Sequence, residues 1–289
     1  MHPLGRRRIL RISFLNVVAT AVLLCNSLSA QALDASELFQ VSGATAFDVF
    51  GAAIASVGDI NGDGVSDFVG GAPRTNANSI GFAAVLSGVD GSTLLSFNGV
   101  NAGDNFGISV AGIGDVNGDA IPDIVVGAPF TTVGDQVLLG TVYVYSGANG
   151  DLIHRIQGDP ETATLGGAVA SAGDVNGDGV PDIIVGAVAA SPPGLAGVGS
   201  VLVYFGVTGS PLLRINGLDA GEAFGELVAG AGDVNGDGVP DILVGLPKSA
   251  RAGLFNGGSV LVYSGVDGSQ LLRFDGSMVR WFDRVWQFR

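Results

Sequence analysis

Asp59-Ile60-Asn61-Gly62-Asp63-Gly64-Val65-Ser66-Asp67 is the first of four near-copies in this chain. The others run Asp115–Asp123, Asp174–Asp182 and Asp233–Asp241, at spacings of 56, 59 and 59 residues. Two further landmarks keep register with them. Nine residues before each copy stands an aromatic or leucine followed by glycine: Phe50-Gly51, Phe106-Gly107, Leu165-Gly166 and Phe224-Gly225. After each copy an apolar run ends in Gly71-Ala72-Pro73, Gly127-Ala128-Pro129, Gly186-Ala187-Val188 or Gly245-Leu246-Pro247. A fixed period with registered landmarks marks a chain of stacked supersecondary units.

Each unit reads as four short strands. In the second they are predicted at Gly107–Gly112, Ile124–Gly127, Thr141–Ser146 and Leu152–Gln157. The third alternates as Thr-Val-Tyr-Val-Tyr, the period of a half-buried strand. Glycine, 48 of 289 residues, argues against helix, where each interior glycine costs about 1 kcal/mol relative to alanine. Four strands per unit is the size of a propeller blade. The expectation is an all-β propeller of four full blades, at about 44–99, 100–158, 159–217 and 218–276. Residues 277–289, where Trp281-Phe282-Asp283 stands in place of Phe-Gly, read as a truncated fifth unit or a divergent cap. Leu38–Gly43 aligns with the fourth strand Leu94–Gly99, and in a closed ring it would complete the last blade. Closed and open rings both remain compatible with the sequence.

Arg6, Arg7, Arg8 and Arg11 precede a mostly apolar stretch, Ile12–Leu28, and then Ala30-Gln31-Ala32. This predicts a signal peptide over 1–32, cleaved after Ala32, with an uncleaved membrane anchor as the alternative. Cleavage would leave 27 acidic and 9 basic residues, a net charge of −18, and would remove the only cysteine, Cys25. No later apolar run is long enough to span a membrane. Lys248 is the only lysine. A chain this acidic lacks the clustered cations that nucleic-acid binding needs.

The repeated loops raise the question of what the carboxylates hold. Asp59, Asn61, Asp63 and Asp67 occupy positions 1, 3, 5 and 9 of a tight glycine-bearing turn, and the carbonyl of Val65 at position 7 can add a fifth oxygen. Asp115, Asn117, Asp119, Ile121 and Asp123 repeat the set. Hard oxygen ligands on a flexible loop select Ca²⁺ over transition metals and over Mg²⁺. The competing reading is a set of solvated acidic turns. Position 12 is Gly70, Val126, Val185 or Val244, where an EF-hand needs glutamate, so the loop is expected on a β-hairpin. Ala120 replaces the position-6 glycine; if that position needs positive φ, this site is the weakest.

With these motifs the four units resemble FG-GAP repeats, the blades of the integrin α-subunit N-terminal propeller, over about residues 37–276. The resemblance implies Ca²⁺ in the acidic loops, about four ions, and ligand binding at loops on the opposite face. By position it extends the ligand set to Asp174, Asn176, Asp178, Val180 and Asp182, and to Asp233, Asn235, Asp237, Val239 and Asp241. Leu165 for phenylalanine, Val188 for proline, and four units where seven are usual are departures from the family pattern.

Catalytic groups are scarce. His154 stands where other units carry Leu95, Leu213 and Leu272, a packing position, and no Gly-x-Ser-x-Gly elbow or P-loop is present. The sequence therefore predicts no enzyme. It predicts a secreted, periplasmic or cell-surface binding or adhesion module for a protein or glycan. The alternative is a non-catalytic or scaffold part of an extracellular hydrolase. Partner contacts are expected in the loops 74–80, 130–140, 189–199 and 248–258, which could equally be unconstrained surface loops.

Overall fold

The structure, a computed structural model, describes residues 40–43, 48–73, 80–132, 134–135, 138–249 and 257–276. The stretch 1–32 and the tail 277–289 lie outside the described residues. The chain divides into two units, Met1–Gln40 and Val41–Arg289, and the second carries all the strands described.

Among the described residues, sixteen strands form four four-stranded antiparallel sheets, each a simple meander. The first blade is β1 (Ala53–Gly58), β2 (Asp67–Ala72), β3 (Phe82–Leu86) and β4 (Thr93–Asn98). The second is β5 (Ser109–Gly114), β6 (Asp123–Ala128), β7 (Thr141–Tyr145) and β8 (Leu152–Gln157). The third is β9 (Leu165–Gly173), β10 (Asp182–Ala187), β11 (Ser200–Tyr204) and β12 (Pro211–Asn216). The fourth is β13 (Leu227–Gly232), β14 (Asp241–Leu246), β15 (Ser259–Tyr263) and β16 (Gln270–Asp275). These are propeller blades, as the four-strand repeat predicts.

One expectation needs correction. The first strand of the second unit begins at Ser109, not Gly107, because Asn105–Ile108 is a turn closed by the Ile108 amide on the Asn105 carbonyl at 3.1 Å. Asn105 at φ 54° and Gly107 at φ 87° both lie in the left-handed region, outside the extended backbone of a regular ladder. The same turn recurs at Val49, Thr164 and Ala223, all at positive φ. Of the N-terminal segment Leu38–Gly43, Leu38 and Phe39 lie outside the described residues, and Val41–Gly43 are exposed and irregular. The fourth blade takes its outer strand from its own β16.

Each blade is too thin to enclose a core, so apolar side chains from adjoining blades share one. Val69, Val85 and Phe97 of the first blade pack with Val110, Ile124 and Val126 of the second. Val125, Val142 and Ile156 pack with Val169, Ile183 and Val185, and Ile184, Val201 and Ile215 with Ile242, Val244 and Phe224. The conserved-register glycine before Ala-Pro sits at the centre of each junction. A Cβ built on Gly71 would lie 2.0 Å from the Gly107 carbonyl oxygen; on Gly127, 2.0 Å from that of Gly166; on Gly186, 2.0 Å from that of Gly225. Only glycine admits so close an approach of a neighbouring backbone.

Candidate metal centre

Every acidic loop joins the first strand of a blade to its second, on a β-hairpin. Its residues are organised by their own amides. In the first loop Asp59 Oδ1 accepts from the Gly62 and Asp63 amides (2.8 and 3.1 Å) and Oδ2 from Gly64 (2.8 Å). Asn61 Oδ1 accepts from the Asp63 amide at 3.0 Å, and its Nδ2 donates to Asp63 Oδ2 at 2.8 Å. Asp63 Oδ1 takes the Val65 amide at 2.8 Å. The same bonds recur around Asp115, Asp174 and Asp233. Short polar side chains that bond amides two or three residues on favour such turns over regular structure.

Position 6 requires positive φ: Gly64 is at 88°, Gly179 at 86°, Gly238 at 90° and Ala120 at 68°. The alanine keeps the bond, its amide donating to Asp115 Oδ2 at 2.7 Å, and carries the Cβ strain of the left-handed region.

The aspartate at position 9 does something the sequence reading missed. Asp67 Oδ2 accepts from the Ile60 amide at 2.9 Å and Oδ1 from Gly88, in the β3–β4 turn, also at 2.9 Å. Asp123 clamps Val116 and Gly147, Asp182 clamps Val175 and Gly206, and Asp241 clamps Val234 and Gly265, at 2.8–3.2 Å. All four are buried. The one available signal was that position 9 is aspartate in every unit and directly opens an apolar strand.

Electrostatics divides the set. The Ile121 amide, then the Asn117 side chain, holds the Asp119 carboxyl below the usual range. The Gly238 amide does the same for Asp233. Burial pushes Asp123 and Asp182 up, against two amide bonds each, and the neighbouring loop carboxylates push further. Among the described residues no three carboxylate, histidine or cysteine side chains converge into a preformed cage. The donor chemistry still fits a hard cation. It is all oxygen, amide bonds favour the ionised form of Asp119 and Asp233, and the Asp123 and Asp182 carboxyls sense the charge of their loop neighbours. Positions 1, 3, 5 and 9 and the position-7 carbonyl are the groups that would hold the ion. When bound, it would supply positive charge where carboxylates repel.

Neighbouring loops are linked. Pro122 of the second loop faces Gly58, just before the first, with 3.1 Å to a Cβ built there; Pro181 faces Gly114 and Pro240 faces Gly173 in the same way. The connections from second to third strand (β2–β3, β6–β7, β10–β11 and β14–β15) emerge at the opposite end of each sheet. Of these, Ala189–Gly199 is fully described, and 74–79 and 250–256 lie outside the described residues. His154 packs as its position implies, Nε2 2.8 Å from the Gly206 carbonyl, on the turn of the next blade.

Comparison with known proteins follows this geometry. A family model described as FG-GAP-like repeat matches residues 115–185, and one described as FG-GAP repeat matches 50–86 and 224–263. The chain is 35% identical to integrin alpha-V of Gallus gallus over 204 residues, 66% of this chain and 19% of that protein. It is 32% identical to integrin alpha-5 of Xenopus laevis over 213 residues, 68% and 20% of the two chains. The chain thus spans about a fifth of the length of these curated relatives. Among solved structures, rhamnogalacturonan lyase YesW aligns over 75% of this chain and 41% of its own, with TM-score 0.45 and 15% identity.

Proposed function

We propose that this chain, which belongs to the FG-GAP repeat family, is a Ca²⁺-stabilised binding module that works outside the cytoplasm and engages a protein or glycan. The observation that carries the reading is the fourfold recurrence of one acidic loop with one wiring, down to the alanine that adopts a glycine conformation to keep it. A merely solvated turn has no need to place two carboxylates and an amide oxygen so consistently on one short turn. Similarity to integrin α subunits over two thirds of the chain supports a binding role, without catalysis of its own. The partner surface in this reading is the end of the blades opposite the acidic loops, where the connections from second to third strand differ between units while the strands do not.

The test couples metal to binding. Calorimetric titration of metal-stripped protein with Ca²⁺ should show about four sites. Pull-down and glycan-array capture should then depend on Ca²⁺. Absence of heat and of bound Ca²⁺ in metal analysis would refute the metal claim; Ca²⁺ binding without any captured protein or glycan would refute the module claim alone.

A further inference from the structure

The three junctions inside the chain repeat one interface, and the two end blades each display one half of it. On the fourth blade, Gly245 occupies the place of Gly71, Gly127 and Gly186. A Cβ there would meet only the Leu227 side chain, at 3.1 Å, where the other three would strike a neighbour's carbonyl. Phe274 is 59% exposed, while its counterparts Phe97, Ile156 and Ile215 are 5–7% exposed. Val260 is 40% exposed against 0% for Ala83, Val142 and Val201. Leu227, Gly245, Val260 and Phe274 line a shallow apolar depression there.

The first blade shows the complementary half. Ile54 is 73% exposed, whereas its counterparts Val110 and Val169 are 6% and 8% exposed. Gly51 is exposed, while Gly107, Gly166 and Gly225, whose carbonyls fill the glycine sockets, are buried. The Cβ atoms of Phe106 and Phe224 reach Gly99 and Gly217 as that of Phe50 reaches Gly43, and the Phe50 ring lies over its own Gly70 and stacks on Phe82 at 5.8 Å.

We propose that this chain associates with a second copy of itself head to tail, the first-blade face of one copy (Gly51, Ile54) seating on the fourth-blade face of the next (Leu227, Gly245, Val260, Phe274). The argument is continuity with an interface the chain already makes three times. A repeat array joins at its ends by the contact that joins its members. Such a contact is heterologous, so it propagates unless a rotation closes it. A net charge of −14 on each copy opposes association, so added salt should strengthen it.

The test is sedimentation velocity of the full chain in Ca²⁺ over a wide concentration range. The wild type should form dimers and higher species that grow with concentration and salt. Gly245→Ala should abolish this, because its Cβ would occupy the socket, while the fold tolerates it beside an exposed Leu227. Ile54→Arg should abolish it from the other side. Mixing the two variants should restore a dimer and nothing larger, since each retains the half the other lacks. Gly127→Ala, by contrast, should unfold the protein, showing what the socket cannot hold. A wild type monomeric throughout would overturn the proposal and assign the face to the chain's own residues or to none. So would association that survives both variants, or a mixture that stays monomeric.

Discussion

At the scale of single residues, two aspartate roles that look alike in sequence separate in space. Position 5 is exposed in every loop, position 1 is half-buried in all but the fourth, and position 9 is buried between two backbone amides. Removing the buried carboxylate strands both donors, and each unsatisfied buried donor costs about 1–3 kcal/mol. Asp182→Ala is therefore expected to lose roughly 2–5 kcal/mol of stability even in EDTA, and Asp182→Asn less, measured by urea denaturation. Equal stability of wild type and Asp182→Ala without metal would show the clamp to be idle. Ala120→Gly should gain about 1 kcal/mol by releasing a left-handed alanine, read in the same experiment. The need for positive φ at position 6 was legible in the sequence because three units spend a glycine there. The positive φ at Val49, Thr164 and Ala223 was not, because nothing about valine, threonine or alanine announces it.

At the scale of elements, the third strands were the plainest to read, since their alternation is undisturbed by turns. They also carry all four tyrosines, Tyr143, Tyr145, Tyr204 and Tyr263, in the interior of the sheets. Burial pushes each phenol up, Tyr145 and Tyr204 to about 12. A raised phenol pKa contributes stability that is complete below the ordinary value near 10 and is lost as pH climbs through the folded value. Absorbance titration should show tyrosinate appearing late, two of the four near the top of the range, together with a falling melting temperature between about pH 10 and 12. Four tyrosines ionising together near their ordinary value would contradict the packing. First-strand boundaries were harder to place, because the left-handed turn at Phe-Gly falls on Val49, Asn105, Thr164 and Ala223, residue types with no shared turn signal.

At the scale of the whole molecule, what the sequence made legible was the count and order of blades. What it left unreadable was how their faces meet, since one glycine looks like another until a carbonyl is found against it. The blades carry modest cores, and the chain is strongly acidic, so bound cations should matter to stability out of proportion to their number. Sites of extracellular strength, with dissociation constants of about 10⁻⁴–10⁻³ M, each contribute roughly 1.4 kcal/mol at tenfold excess. Four would supply about 5–6 kcal/mol, comparable to the stability of many domains. EDTA is expected to lower the melting temperature sharply, with recovery in Ca²⁺ and little in Mg²⁺, which demands a tighter octahedral shell. A melting curve indifferent to EDTA in a verified metal-free sample would make the loops plain acidic turns.

The proline of each later loop resting on the glycine before the previous one has a consequence for how this chain can change in length. Ser66 holds that place in the first loop, and a Cβ built on Gly232 of the fourth blade meets nothing within 4 Å. The contacts that join blades are therefore addressed by rank and not by identity. Excising residues 159–217 would join Gly158 to Leu218 and leave Phe224 seven residues on, the spacing Leu165 had. Pro240 would meet Gly114, and the Gly225 carbonyl would find Gly127. The shortened chain should fold cooperatively by calorimetry, whereas the same deletion begun a few residues away should not. Recombination between its own repeats would then be a route by which a gene of this kind lengthens or shortens its product without passing through an unfoldable form.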